Sequence, residues 1–428
     1  MHNTKLQKIK LVGFAHRWIK SYRQHSVYKT IQQNYKKNTH RLQKKIKREK
    51  LRVIFYTNEP QKWAYDTVYK AFENSPYFTP IIVVVPRYRV HDGSDDTRMT
   101  LEEQYLFYKD RGYTVEYGYI NGEYLDISKF SPDIFFYMQL AEIPNIDHPA
   151  IVSKYALTCY CPYGYSFSDY KKQYLQDFHR LLWTNFVEHE LTIERYEQYK
   201  RGNSKNCIAT GYPKLDAYTL PQSASASKYW KNPEKYKIIY APHHSFSDNE
   251  HNLFRWGTFD KNYSFILSLA KKHPETTWIF KPHPMLRSRI VTYNLMTEQE
   301  ADAYYEEWGH IGNIYDTGDY MDIFRTSNLM ITDSGSFLAE YLPSGNPIIR
   351  LINDSGIALN NLGVHFSQCF YNTHNNNELM EFFENIVVCG DDPLKKHRCE
   401  MATTLVDKYE TASDKIYKYI TEKLNIQP

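Results

Sequence analysis

Apolar residues recur along this chain in two rhythms, and the rhythm changes near residue 52. Before it, Val27, Ile31 and Tyr35 are spaced by four, as are Leu42 and Ile46, so a helix gathers them on one side with Lys and Arg flanking. Leu6, Ile9, Phe14, Trp18 and Ile19 carry the same mixture toward the N-terminus. After Arg52, short apolar runs alternate with helical periods. Val53–Tyr56, Ile81–Val85, Val115–Tyr119, Ile134–Met138, Leu181–Thr184 and Cys207–Lys214 read as strands, with helices predicted at Trp63–Glu73, Leu101–Arg111 and Glu188–Lys200. Strands separated by helices of this length predict a parallel sheet with helices on both faces. The Tyr- and Cys-rich segment Ile151–Tyr165 ends in Pro162-Tyr163-Gly164 and reads as a loop at the edge of that sheet.

Pro221–Ser227 is small and polar throughout, which marks a linker and a domain boundary near residue 225. The alternation then starts again. Lys237–Ala241, Trp278–Lys281, Asn328–Thr332 and Pro347–Leu351 read as strands, and Asn262–Lys272, Tyr320–Thr326, Ser336–Leu342, Glu378–Val387 and Pro393–Lys423 as helices. The chain is therefore α/β in three parts: a basic amphipathic extension over 1–50 and Rossmann-like domains over 51–222 and 229–428, the second including the terminal helices.

Charge sharpens the first of these parts. The first 52 residues hold 16 Lys or Arg against a single acid, Glu49, in a chain of 53 bases and 49 acids. A cationic arm on an acidic body is the profile of a helix lying on an anionic membrane surface, where each base contributes about 1 kcal/mol. It does not describe a nucleic-acid-binding core. No run reaches the length of a membrane span and no secretory leader is visible, which places the expected location in the cytoplasm, peripheral on the inner face of the cell membrane. The six cysteines are scattered with no C-x-x-C pair, which implies a reducing compartment and no structural zinc.

Candidate chemistry collects at the carboxyl ends of second-domain strands, where open α/β sheets bind ligands. Tyr240-Ala241-Pro242-His243-His244-Ser245 is one such loop, Lys281-Pro282-His283-Pro284 a second, and Asp333-Ser334-Gly335-Ser336, with Glu340 one turn later, a third. The small-residue turn opening a helix favours an anion, although Asp333 and Ser336 also suit simple capping. Lys281 and His283 on a proline-stiffened turn are expected to face a phosphate. His243 and His244 are adjacent, so an extended loop aims only one of them in a given direction. No histidine set shows metal-ligand spacing and no D-x-D ends a strand, so neither metal nor cofactor is called for. Asp95-Asp96 and Asp391-Asp392 read as solvated caps.

These three loops give the C-terminal half a resemblance to the CDP-glycerol glycerophosphotransferases, the teichoic-acid primase and polymerase family, which has the two-Rossmann GT-B fold. The family's motifs look like Y-x-P-T-F-R, K-x-H-P and T-D-Y-S-S-x-x-x-[DE]-Y, preceded by G-x-P-[KR]-x-D. Gly211-Tyr212-Pro213-Lys214-Leu215-Asp216, Tyr240-Ala241-Pro242, Lys281–Pro284 and Thr332–Ser336 with Glu340-Tyr341 match them in order. The resemblance implies an N-terminal acceptor domain and a C-terminal donor domain. It implies a catalytic His283 at the pyrophosphate, donor contacts from Pro242, His244, Ser245, Lys281, Asp333, Ser334, Gly335, Ser336 and Glu340, and transfer of a polyol phosphate from a CDP-activated donor to an envelope glycan or lipid-linked acceptor in teichoic-acid-like, capsule or surface polysaccharide synthesis. Three positions depart from the pattern. Pro162-Tyr163-Gly164 stands where the family has a general-base histidine before glycine, and a tyrosine of ordinary pKa about 10 is a poor base. His243-His244-Ser245 replaces the aromatic and arginine, and Gly335 replaces a serine. The base stays open among Tyr163, His243 and an unplaced carboxylate. D-S-G-S followed by Glu340 also resembles the turn of UDP-N-acetylglucosamine 2-epimerases, which leaves a UDP-sugar enzyme and a non-catalytic membrane-associated scaffold as alternatives.

Overall fold

The computed structural model describes residues 26–87, 99–139, 143–199, 202, 204–222, 226–246, 255–316, 319–407 and 409–426. Leu6, Ile9, Phe14, Trp18 and Ile19 of the arm, Asp95-Asp96 and residues 223–225 of the linker lie outside them.

Two parallel sheets organise the chain. The first holds β1 (Leu51–Thr57), β2 (Phe78–Val84) and β3 (Val115–Tyr117), then, after a short hairpin of β4 (Tyr119–Ile120) and β5 (Glu123–Tyr124), β6 (Ile134–Tyr137), β7 (Leu157–Tyr160), β8 (Thr184–Val187) and β9 (Cys207–Ala209). Their order is β3-β2-β1-β6-β7-β8-β9. The second sheet, in the order β12-β11-β10-β13-β14-β15, is built from β10 (Tyr236–Ala241), β11 (Thr276–Phe280), β12 (Asn313–Ile314), β13 (Leu329–Thr332), β14 (Ile348–Leu351) and β15 (Tyr371–Thr373). Successive residues of a strand point to opposite faces, so one strand feeds two cores. Val53 and Phe55 pack with Phe72 and Phe136, whereas Ile54 and Tyr56 pack with Phe135 and Tyr137. In each sheet the order reverses once, between β1 and β6 and between β10 and β13, and those reversals open a crevice at the strands' carboxyl ends.

Several expectations are corrected here. The Ile151–Tyr165 segment is no edge: β7 lies between β6 and β8 with all four of its residues buried. Its Thr158 is accommodated inside because the hydroxyl pairs with Tyr35 Oη at 2.5 Å. Residues Asp177–Leu181 are helical and the strand begins three residues late, at Thr184. The long helix over Pro393–Lys423 is two, Lys395–Leu405 and Ala412–Lys423, the second restarted by a capping box between Thr411 and Asp414. That last helix leaves the second domain. Ile416, Ile420 and Leu424 bury in the core of the first sheet.

The described half of the basic arm is also part of that core. Helix α1 (26–45) buries Ile31, Tyr35 and Leu42 beside Phe136, Leu157 and the C-terminal helix. Asn38 donates to the Ser153 carbonyl at 2.9 Å, and Lys45 and Arg41 both reach the buried Asp133, at 2.7 and 3.1 Å. Ile31, Tyr35 and Leu42 of its apolar stripe are thus covered by protein and are not available to insert into lipid, while Val27 at its start is exposed. Residues 26–45 are no detachable extension. Leu42, fully buried, should lose about 3 kcal/mol of stability on replacement by alanine, read as a lowered urea midpoint; an unchanged midpoint would show that α1 is not integral.

Candidate functional site

Because β11, β10 and β13 are neighbours in register, their three following loops leave the sheet side by side. They are then tied together. The His283 amide donates to the Pro242 carbonyl at 3.2 Å, and the His243 amide to Asp333 Oδ1 at 2.6 Å. Asp333 Oδ2 accepts from the Thr258 amide and hydroxyl at 2.6 and 2.9 Å. With hydrogen bonds on both oxygens and only 3% of the residue exposed, Asp333 braces two loops.

The brace holds three imidazoles in contact. The chain bends at His244, so His243 and His244 do not diverge as an extended loop would make them. Ring centroids lie 4.3 Å apart for His243 and His244, 4.0 Å for His244 and His283, and 5.3 Å for His243 and His283. Their ligand atoms fall within 4.8 Å of one another, a spacing that could hold a metal ion and that the sequence did not reveal. The hydrogen bonds around the rings decide what they offer. His283 Nδ1 accepts the Met285 amide at 3.1 Å. His243 Nδ1 accepts the Ser245 amide at 3.2 Å and lies 2.7 Å from Ser245 Oγ; that hydroxyl accepts from the Trp256 and Gly257 amides, so its own proton goes to the ring. A backbone amide only donates, so in each neutral ring Nδ1 is bare and Nε2 carries the proton. Metals take a bare nitrogen. His243 and His283 therefore present N–H groups, which suit an anion, and those two rings fit a metal poorly.

Two further atoms point the same way. His244 Nδ1 and Arg289 Nε are both buried and have no hydrogen-bond partner among the described residues. Arg289 stands on the Leu286–Thr292 helix that follows the Pro284 turn, close enough to His244 to act on its titration. Burial, then Arg289, lowers the His244 pKa to about 4. Burial holds His243 and His283 well below the usual imidazole range, with His244 the next cause for each and His243, Lys281 and Lys62 adding to the effect on His283. At neutral pH the rings are uncharged beside a guanidinium.

The remaining expected residues divide. Ser334, 8% exposed, and the half-buried Ser336 flank the start of the Gly335–Tyr341 helix. Gly335 is there because nothing larger fits: a Cβ on it would lie 2.0 Å from Trp256 Cζ3. Ser245 works inward on His243 and the Trp256–Gly257 amides. Lys281 packs against aromatic rings, and its charge still acts on His283. Its buried ammonium sits over the rings of Tyr320, Tyr315 and Phe337 at 4.6, 5.4 and 5.5 Å, and burial, then Lys214, lowers its pKa to about 8. Glu340, 1% exposed, bonds the Tyr320 hydroxyl and lies 4.0 Å from Lys214 Nζ, which itself donates to Tyr320 at 2.7 Å. Lys214 comes from the first domain, so Glu340 joins the two domains.

The whole Gly211–Asp216 segment serves that junction. Gly211 has φ +92° and its Cα faces Ala412, where a Cβ would come within 3.2 Å. Tyr212 donates to the Tyr163 carbonyl at 2.7 Å, and Asp216 accepts the Ala412 and Ser413 amides at 2.9 and 3.0 Å. Tyr163 itself, 41% exposed, follows β7 in a loop that continues to Phe167, stacked on Phe366 of the second domain. Sequence reasoning missed Arg289, because its short helix went unread, and Trp256 and Thr258, whose loop carries no motif.

A family model described as CDP-glycerol:poly(glycerophosphate) glycerophosphotransferase matches residues 177–422, which include all three loops. The chain belongs to this family. Like other structures of two facing Rossmann-like domains, this glycerophosphotransferase-family chain resembles a variant of the wall teichoic acid polymerase TagF, at TM-score 0.56 and 12% identity over 88% of this chain and 89% of that one. It is also similar to a UDP co-structure of MnaA from S. aureus (TM-score 0.53, 15% identity, 89% and 98% covered) and to a 2-epimerase-like protein from Listeria monocytogenes described as a UDP-N-acetylglucosamine 2-epimerase (0.56, 14%, 89% and 98%). At these identities the likeness establishes the GT-B type of fold. None of the curated proteins matches the chain.

Proposed function

We propose that this chain transfers a polyol phosphate, glycerol- or ribitol-phosphate, from a CDP-activated donor to an envelope glycan or lipid-linked acceptor, with the imidazole cluster at the diphosphate. The observation that carries the reading is the convergence of His243, His244, His283 and Arg289, with His244 Nδ1 and Arg289 Nε buried and unpartnered among the described residues. An acceptor hydroxyl attacks the phosphorus bonded to the polyol; the oxygen–phosphorus bond to CMP breaks, and charge gathers on the departing phosphate. Preset N–H donors and a guanidinium stabilise that charge without reorganising. A bound diphosphate also favours the imidazolium form, so His283 can pass a proton to the departing oxygen.

Incubation with radiolabelled CDP-glycerol, CDP-ribitol and UDP-N-acetylglucosamine, each with and without poly(glycerophosphate), tests this. Label moving from a CDP-polyol to polymer is the expected result. Free epimer from the UDP-sugar, or no turnover of any donor, would overturn it. The same cluster sets a pH dependence. Its rings are neutral when empty and their charged forms are favoured beside phosphate, so CDP-glycerol, whose diphosphate has no proton to lose in this range, should bind more tightly as pH falls from 8 to 6. Calorimetric titration at each pH would show it, and affinity flat across that range would contradict it.

The outer face of α1 supports attachment to a membrane surface. Lys29, Lys36, Lys37 and Lys44 are exposed there, with Lys47 just past the helix end, while Ile31, Tyr35 and Leu42 on the opposite face are buried. Contact with an anionic inner-leaflet surface is then electrostatic, without insertion. Among the described residues no helix is long and apolar enough to cross a membrane. Replacing Lys29, Lys36, Lys44 and Lys47 by glutamate should abolish co-sedimentation with phosphatidylglycerol vesicles, which 0.5 M salt, roughly a 4 Å Debye length, should also suppress; salt-resistant binding would refute it.

A further inference from the structure

Between the two domains lies an open cleft of about 750 Å³, within the roughly 300–1,000 Å³ range of small-molecule sites, and none of the three donor-side loops lines it. One wall belongs to the first domain: Trp63 from the loop after β1, Asp66 at the start of the next helix, Phe107 and Arg111 from the Leu101–Lys109 helix and the turn after it, and Lys214 from the junction. The second domain supplies Asp319, ahead of its Met321–Thr326 helix. Direct contacts join this cleft to the imidazole loop. Lys214 Nζ donates to the Tyr320 hydroxyl at 2.7 Å, and the Tyr320 ring lies 4.6 Å beneath the ammonium of Lys281, two residues before His283 in the same turn.

The walls define what the cleft can hold. Asp66 and Asp319 are both exposed, and each has one oxygen engaged locally: Asp66 Oδ1 accepts from Trp63 Nε1 at 3.0 Å, and Asp319 Oδ1 from the Met321 amide at 3.0 Å. Their other oxygens have no hydrogen-bond partner among the described residues and, when ionised, can only accept. Burial pushes the Asp66 carboxyl up against the lowering effect of the Trp63 bond, and Asp319 adds to the rise, so the two carboxylates act on each other across the domain boundary. Arg111 supplies donors. Its guanidinium lies over the Phe107 ring at 3.7 Å and uses Nη1 on the Phe107 carbonyl at 2.7 Å, which leaves further N–H groups for a guest. Lys214 is already engaged with Tyr320 and Glu340. A guest must therefore donate to two carboxylates and accept from a guanidinium beside aromatic rings. Hydroxyl groups do both, whereas a phosphodiester has no proton to donate and meets like charge. From these walls, and resting on the transfer reading above, we infer that the cleft binds the uncharged, hydroxyl-bearing end of the acceptor, a terminal polyol or sugar. Asp66 and Asp319 accept from its hydroxyls and Arg111 donates to them, while the donor diphosphate stays at the imidazoles.

Asp66→Asn and Asp319→Asn test the site, because an amide oxygen still accepts from Trp63 or from the Met321 amide while the charge offered to the guest is lost. With label transfer from CDP-glycerol followed at varied acceptor concentration, each variant should raise the acceptor KM about tenfold and leave the CDP-glycerol KM, and kcat at saturating acceptor, within about twofold. Poly(glycerophosphate) and the uncharged sugar N,N′-diacetylchitobiose serve as separate acceptors; a shift with the first puts a polyol end in the cleft, and a shift with the second a sugar end. An acceptor KM unchanged in both variants would overturn the inference and leave the transfer reading standing. Acceptor and donor KM rising together would make the two carboxylates braces between the domains and overturn it as well. No transfer to either acceptor by the unaltered chain would remove both.

Discussion

Replacing His283 with alanine is expected to cut kcat by roughly three orders of magnitude while weakening CDP-glycerol binding by about tenfold. The asymmetry follows from the surroundings. His243, His244 and Arg289 remain to hold the diphosphate at rest, but the departing phosphate loses the imidazole whose Nδ1 is fixed by the Met285 amide and whose Nε2 carries the proton. His283→Gln separates two contributions, since it restores an N–H donor and cannot deliver a proton. Binding should return to near the original value and turnover should not. Equal losses of kcat and affinity in the alanine variant, read by stopped-flow transfer and calorimetry, would reduce His283 to a binding residue.

Gly335→Ser restores the serine that the family carries there, and it should be severely damaging. The added Cβ would stand 2.0 Å from the Trp256 ring. That ring cannot swing aside cheaply, because Trp256 Nε1 donates to the Ile357 carbonyl at 2.7 Å and its amide is held by Ser245. Overpacking at a site pinned on both sides should cost about 3 kcal/mol or more, with the Ser245–His243 bond disturbed as a consequence. Trp256→Ala alone leaves a cavity and is destabilising, yet the double variant should be more stable than the sum of the two predicts. A chemical-denaturation cycle measures that coupling. Additive losses would mean that the two positions do not share space.

The strands at the centre of both sheets were legible because a fully buried parallel strand needs an unbroken apolar run, as in Ile238–Ala241 and Leu329–Thr332. The arm shows what such patterns omit. A four-residue apolar spacing says that Ile31 and Tyr35 are covered, and lipid and a protein core satisfy it equally; only the distant partners, Thr158 and the Leu181 carbonyl, decide. The Glu298–Ile311 helix had a readable signal, the Thr297–Glu300 capping box ahead of Ala301, Tyr304 and Trp308, and it went unread. At the site, the motif residues were found but their work was not. Asp333 and Glu340 bond residues 75 and 20 positions away, and Lys214 meets Glu340 across the domains, relations that no local spacing encodes.

Because the final helix crosses back to bury Ile416, Ile420 and Leu424 in the first sheet, the polypeptide passes between the lobes twice, between Asp216 and Tyr236 and again between Leu405 and Ala412. Two strands of covalent chain at one margin make a pivot. Any widening of the crevice for substrate entry must then be a swing about that margin, smallest beside Asp216 and growing with distance from it.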